Sequence, residues 1–260
     1  MPLTDYQSTL ARLLSANRTF DSYLAGGAAI LIEPNTTRFS RDLDYFHDSE
    51  ARVAEAFALD SKLLDANGYS IELDLNQPGY IRAIVIMGRD ETKVEWARDS
   101  TWRFMPTVRD DRVGFMLHPV DLAVNKVLAL AGRDEPRDVV DALHLHRHVL
   151  GLGALCWASC GKDPGYSPLS LLELLRRRGR LHPEDLARLE LTEPIDIQTL
   201  KHTWLEALDS VEPFAASRPP TEVGCLYYSG ARRAFVDPRE VNDAVPHFGR
   251  PGGVLPRVNP

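Results

Sequence analysis

The sequence predicts an α+β protein, in which a small mixed β-sheet flanked by helices forms the first half and a helical domain forms the second. Short β-branched or alternating apolar runs, separated by turn residues, concentrate before residue 100. Apolar residues at helical spacing dominate from residue 119 to 211. The chain has 260 residues, 44% of them hydrophobic, which suits one large domain or two modest ones. We therefore expect a core domain over 1–115, a helical domain over 116–217 and an irregular Pro- and Gly-rich tail over 218–260.

The first half is predicted to alternate helices and strands. The expected elements are, in chain order, a helix over 6–19, a strand over 21–25, a short apolar helix after Gly26-Gly27, a strand in the segment FSRDLDYF, an amphipathic helix over 49–66, and strands over 69–75, 80–87 and 92–99. Because short turns separate the last three strands, we expect them to form an antiparallel meander.

The second half is predicted to be mainly helical. Apolar residues share one helical face in each of five segments, which cover 119–131, 137–150, 167–178, 183–190 and 196–211. In the tail, residues 225–236 alternate in polarity and contain a Ser-Gly turn, which predicts a hairpin.

Composition and charge exclude several classes of protein. Every apolar run is shorter than the roughly 18 residues of a membrane-spanning helix, so we expect no integral membrane protein. The first residues show no secretory pattern, and the three cysteines form neither a disulfide framework nor a zinc pattern, so we expect a cytoplasmic location. The net charge of −7 gives no general attraction to nucleic acid, which would need a local basic patch.

Three acidic residues form the sharpest candidate site. Asp42 and Asp44 are two positions apart in a predicted strand, so their side chains share one face while Leu43 enters the core. Carboxylates this close repel each other unless a cation neutralises them, and Mg²⁺ prefers such oxygen ligands together with substrate phosphates. Glu95 would complete a cluster of three if its strand lies beside theirs. The alternative is a solvated face of the sheet with no binding role.

A pair of glycines precedes these carboxylates. Gly26-Gly27 follow an apolar strand and open a short helix. At such a turn, backbone N–H groups can approach an anion closely, and the helix N-terminus adds a favourable field. We therefore expect the turn to hold phosphate groups.

The order of these motifs resembles the minimal nucleotidyltransferase fold related to DNA polymerase β. Residues 118–145, HPVDLAVNKVLALAGRDEPRDVVDALHL, are also similar to a segment of the AbiEii-type nucleotidyltransferases, toxins of bacterial toxin–antitoxin and phage-defence systems. The resemblance covers about residues 6–146 and implies Mg²⁺-dependent transfer of an NMP from an NTP by a nucleotidyltransferase core over 1–115. The site residues it implies are Asp42, Asp44 and Glu95 for catalysis and metal binding, and Gly26, Gly27, Lys126, Arg133, Arg137, Asp138 and Asp141 for nucleotide binding.

Some of the second-half residues also have simpler explanations. Lys126 lies in a largely apolar helix, where its ammonium must reach solvent, pair with a carboxylate or meet an anion. Asp138 and Asp141 share a face at the start of a helix, where acidic residues suit the macrodipole.

Two further clusters have open interpretations. His144 and His148 are one helical turn apart, as metal ligands would be, but His146 faces elsewhere, which favours a surface or interface role. The basic run Arg176–Arg180 suits either the phosphates of an RNA acceptor or a solvated helix end.

These observations favour a metal-dependent nucleotidyltransferase. The expected acceptor is a hydroxyl of RNA, such as tRNA, or of a protein, and an antitoxin is the partner that such a toxin implies. Two alternatives remain open: a catalytically silent scaffold that binds a nucleotide or a partner protein, and an enzyme that hydrolyses phosphodiesters with an activated water.

Overall fold

The chain divides into two compact units. A computed structural model describes residues 3–32 and 36–257. The first unit comprises Met1–Thr101 and Pro106–His118, and the second comprises Trp102–Met105 and Pro119–Pro260. Within the described residues, no helix is long and apolar enough to cross a membrane.

Helices and strands alternate in the first part of the chain, and helices dominate the second. The helices are α1 (Asp5–Leu14), α2 (Gly26–Ile30), α3 (Glu50–Ala66), α4 (Pro119–Gly132), α5 (Pro136–His148), α6 (Leu152–Lys162), α7 (Pro168–Arg178), α8 (Pro183–Ala187), α9 (Ile197–Asp209) and α10 (Val211–Ala216). The strands are β1 (Ser22–Ala25), β2 (Asp42–His47), β3 (Ser70–Gln77), β4 (Tyr80–Met87), β5 (Asp90–Arg98), β6 (Trp102–Arg103), β7 (Val108–Asp110), β8 (Gly114–Met116), β9 (Cys225–Ser229), β10 (Ala234–Phe235), β11 (Ala244–Phe248) and β12 (Arg250–Pro251).

A seven-stranded mixed sheet forms the centre of the first unit. Its strand order is β3-β4-β5-β2-β1-β8-β7. Strands β3, β4 and β5 form the predicted antiparallel meander. Strand β5 then pairs in parallel with β2, which is antiparallel to β1. The predicted fold class, α+β with a mixed sheet flanked by helices, is confirmed.

One face of this sheet carries the core of the first unit. Leu43 and Tyr45 of β2 and Val94 and Trp96 of β5 are fully buried. Helix α3 packs against β2, β4 and β5, and its Phe57 ring meets Trp96 edge-on at 5.1 Å between ring centroids. Because side chains alternate along a strand, the even-numbered residues of β2 and the odd-numbered residues of β5 lie on the opposite face.

A buried ion pair ties the helical layer to β5. Asp60 of α3 pairs with Arg18, and both side chains are fully buried. The same carboxylate accepts a hydrogen bond from Trp96 Nε1 at 2.7 Å. These contacts fix β5 at Trp96, the residue next to Glu95. The Glu95 side chain lies on the other face of the sheet.

The second unit combines helices with small sheets. The predicted hairpin is present, since β9 pairs antiparallel with β10 and also with β11. Strands β6 and β12 form a separate two-stranded ladder. The predicted tail over 218–260 therefore contains a three-stranded antiparallel sheet of the second unit, in addition to its irregular segments.

Helix α6 was not predicted from the sequence. Residues 152 to 160 of this helix are all buried, so its apolar residues show no one-sided periodicity. The nearby glycines also suggest a loop in a purely local analysis.

Candidate functional site

Asp42, Asp44 and Glu95 come together on the face of the sheet opposite to α3. Each offers a carboxylate oxygen, and these oxygens lie within 4.8 Å of one another. Parallel pairing of β2 with β5 places Asp44 beside Glu95 in register. The adjacency on which the sequence prediction depended is therefore present.

The geometry and chemistry of this acidic triad fit a divalent cation. Mg²⁺ binds oxygen ligands at 2.0–2.1 Å, so two oxygens on one ion are at most about 4.2 Å apart. The 4.8 Å limit on the distances between the triad's oxygens is close to this spacing. Asp42 is buried, whereas Asp44 and Glu95 are half-buried.

Lys93 lies among the carboxylates and was missed by the sequence analysis. Its Nζ is 2.9 Å from Asp42 Oδ2 and 2.8 Å from Glu95 Oε1. Burial works to lower the pKa of Lys93, but the hydrogen bonds with Glu95 and Asp42 outweigh it and raise that pKa above its ordinary value. The signal was available, since Lys93 precedes Glu95 by two residues and must share its face.

Strand β4 extends this polar surface. Arg82 is in register with Glu95, and its guanidinium forms an ion pair with Asp74 of β3. Burial, together with a hydrogen bond to Glu95, raises the pKa of Tyr80 above its ordinary value. The Tyr80 hydroxyl therefore stays protonated at neutral pH.

The Gly26-Gly27 turn lies directly beside Asp44. Gly26 has a φ of +60°, and a Cβ atom there would lie 1.9 Å from Asp44 Oδ2. A residue with a side chain at position 26 would thus displace a carboxylate of the triad.

Gly27 makes a second close approach, to the side chain of Arg38. A Cβ atom on Gly27 would lie 2.9 Å from Arg38 Nη2, and Arg38 is buried. The turn therefore has a guanidinium next to it. The sequence analysis did not identify Arg38, because the segment between α2 and β2 has no periodic pattern that would orient its side chains.

Comparison with solved structures identifies the fold. The chain is similar to MenT4, a nucleotidyltransferase toxin from Mycobacterium tuberculosis, with a TM-score of 0.54 and 17% sequence identity over 83% of each chain. The protein has the nucleotidyltransferase fold. JHP933 from Helicobacter pylori is also similar, with a TM-score of 0.48 and 17% identity over 82% of this chain and 94% of that chain. No family profile matches the sequence, and no curated protein matches it significantly.

The remaining predicted site residues belong to the second unit, where four of them, Lys126, Arg133, Asp138 and Asp141, form an ion-pair network. Lys126 Nζ lies 2.7 Å from Asp138 Oδ1 and 3.0 Å from Asp141 Oδ2. Arg133 Nε lies 2.7 Å from Asp138 Oδ2. Arg137 Nε lies 3.9 Å from Glu135 Oε2. The predicted part of these residues in nucleotide binding stays a prediction.

Burial distinguishes the members of this network. The side chains of Asp138 and Asp141 are fully buried and that of Lys126 is nearly so, whereas Arg133 is half exposed. Burial works to raise the pKa of Asp138, but the Lys126 ammonium and the Arg133 guanidinium hold that pKa below its ordinary value. Asp138 is therefore ionised at neutral pH.

Members of the histidine and arginine clusters contact other side chains of the protein. The rings of His144 and His148 stack at 4.4 Å between centroids. Across residues 3–32 and 36–257, the acidic triad is the only group of three or more potential metal ligands that converges. Arg176 pairs with Asp209 at 3.2 Å on the surface.

Proposed function

We propose that this protein is a metal-dependent nucleotidyltransferase that moves an NMP from an NTP to an acceptor hydroxyl. The observation that carries the proposal is the convergence of Asp42, Asp44 and Glu95 beside the Gly26-Gly27 turn of a nucleotidyltransferase fold. Nucleotidyl transfer needs a cation site next to a phosphate-binding turn, and this arrangement supports the presence of both.

The acidic triad would hold Mg²⁺. When bound, the metal supplies positive charge for the NTP phosphates and lowers the pKa of the acceptor hydroxyl. Asp42 and Asp44 are the shared ligands in this proposal. Glu95 contributes a further ligand or accepts the proton that the acceptor loses.

The glycine turn would hold the β- and γ-phosphates. Backbone N–H groups at a turn without side chains can approach phosphate oxygens closely. Arg38 adds a guanidinium against Gly27, and its planar donors suit the oxygens of the departing pyrophosphate. The two features together would orient the α-phosphate toward the triad.

The biological role we propose is that of a toxin in a toxin–antitoxin or phage-defence system. MenT4 is a nucleotidyltransferase toxin, which supports this role by similarity of fold. The acceptor would be RNA, such as tRNA, or a protein in the cytoplasm. Exposed arginines in the run 176–180 offer a place for RNA phosphates, and an antitoxin would be the protein partner.

Labelling with α-³²P-NTP tests the reaction. Each of the four NTPs is incubated with the protein, Mg²⁺ and total cellular RNA or protein, and the products are separated by size. We expect label in one acceptor class, its loss in EDTA and its loss in Asp44→Asn. Asp90→Asn, an exposed change in the same sheet, is the matched control and should transfer normally.

Two outcomes would replace the proposal. NTP binding without transfer to any acceptor would indicate the silent scaffold. Cleavage of RNA or DNA without added NTP would indicate a phosphodiesterase that uses the same carboxylates.

A further inference from the structure

The Lys93 ammonium lies against two of the three carboxylates that a metal ion at the acidic triad would need. It contacts Asp42 Oδ2 and Glu95 Oε1 at 2.9 and 2.8 Å. It therefore bridges the two strands that supply the triad. An ammonium and a divalent cation cannot both lie between these oxygens, because the two cations repel each other and compete for the same lone pairs.

The register of the paired strands brings Lys93 and the three carboxylates together. Parallel pairing of β2 with β5 places Asp42 beside Lys93 and Asp44 beside Glu95. All four side chains therefore leave the sheet on one face. The only short route by which the ammonium can avoid the carboxylates is rotation of its flexible stem toward solvent.

The exposure of Lys93 allows such a rotation. Its side chain is 31% exposed, and that of Glu95 is 18% exposed. The pair with Glu95 is therefore partly solvated, and the ammonium can leave toward solvent. The Asp42 side chain is only 7% exposed, so its carboxylate needs the arriving metal in place of the ammonium. An unbranched four-carbon stem gives the ammonium several alternative rotamers.

We propose that Lys93 is a built-in counter-cation of the metal site, which neutralises the triad in the metal-free protein and is displaced when the metal binds. The ammonium carries one positive charge and a divalent cation carries two, so the metal is attracted more strongly to the same oxygens. Lys93 thus holds the ligands in place before loading and lowers the metal affinity. It is a positioning residue rather than a catalytic one. This inference rests on the proposed function, because it assumes the same metal site.

Calorimetric titration with Mg²⁺ alone tests the proposal. Lys93→Met removes the charge and keeps a long stem, so we expect Mg²⁺ to bind about tenfold more tightly, a gain of about 1.4 kcal/mol. In EDTA the same variant should melt earlier than wild type, because its carboxylates repel one another. Lys93→Arg keeps the charge and should stay close to wild type in both measurements. Equal or weaker Mg²⁺ binding by Lys93→Met would overturn the proposal.

A second measurement uses the wild-type protein, so it does not depend on the folding of a variant. The rate of acetylation of Lys93 by acetic anhydride is followed by mass spectrometry, with and without saturating Mg²⁺. We expect a severalfold faster reaction in Mg²⁺, with Lys62, an exposed lysine of α3, unchanged. An unchanged or slower reaction at Lys93 would overturn displacement.

The two proposals fail in different ways. If neither wild type nor Lys93→Met binds Mg²⁺, the metal site and the role of Lys93 are both wrong. If wild type binds Mg²⁺ and Asp44→Asn does not, but Lys93→Met equals wild type, only the role of Lys93 is wrong.

Discussion

Lys126→Met should destabilise the second unit strongly. The substitution removes the ammonium that lies 2.7 and 3.0 Å from two fully buried carboxylates. Breaking a buried ion pair from one side typically costs about 3–5 kcal/mol, because the remaining charge is left without compensation. Arg133 still pairs with Asp138, so part of the compensation at that carboxylate remains. For a unit of this size, the expected decrease in melting temperature is about 6–20 °C.

Thermal and urea denaturation followed by circular dichroism measure this loss. Lys201→Met, at a partly exposed position of α9 in the same unit, is the control and should change stability by less than about 0.5 kcal/mol. Adding Asp138→Asn and Asp141→Asn to Lys126→Met should recover most of the loss, since the uncompensated charges are then gone. A loss below about 1 kcal/mol for Lys126→Met alone would refute the argument, because a lysine that only reaches solvent costs no more.

Three further predictions concern the first unit. Asp44→Asn should lower the rate of transfer by at least about 100-fold, with an unchanged melting temperature in EDTA. A metal supplies several kcal/mol of transition-state stabilisation, and each 1.4 kcal/mol is tenfold in rate. A normal rate would exclude Asp44 from the site. Gly26→Ala should weaken Mg²⁺ binding, and it should cost about 1–2 kcal/mol of stability because the φ of +60° is unfavourable for alanine. Titration with Mg²⁺ and thermal melts measure the two effects. Unchanged binding would show that Asp44 is not displaced. Burial first, and then Arg18 and Arg52, lower the pKa of His47 to about 3. The stability contributed by the neutral imidazole is therefore full above pH 6.5 and falls by about 2 kcal/mol by pH 5. His47→Leu should remove this fall in pH-dependent melts, and the same fall in the variant would assign it to another group.

Much of the sheet could be predicted from the sequence because its signals are local. Alternation in β2 and β4 and the turn residues between β3, β4 and β5 depend only on neighbouring positions. The pairing of β2 with β5 could not be predicted in the same way, because α3 and two strands separate them along the chain. The position of Glu95 beside Asp44 therefore had to be assumed until the structure showed it.

The partners of the predicted site residues were harder to infer than the residues themselves. Acidic residues in a strand suggest a metal site, but a lysine beside them suggests only a charged surface, so Lys93 was overlooked. Arg38 lies outside any regular element, where spacing gives no orientation. Contacts across the sheet and around a turn depend on the packed structure, and composition alone does not contain them.

Burial separates the two acid–lysine clusters of this protein. In the second unit, Asp138 and Asp141 are fully buried, so an outward movement of Lys126 would remove a cation from two desolvated carboxylates. In the first unit, Lys93 and Glu95 are partly exposed and only Asp42 is buried, and an arriving divalent cation would compensate the carboxylates as the ammonium leaves. The cost of removing the lysine is therefore high in one cluster and low in the other. The same pair of residue types thus serves as a permanent structural link in the helical unit and, in our proposal, as an exchangeable counter-ion at the site.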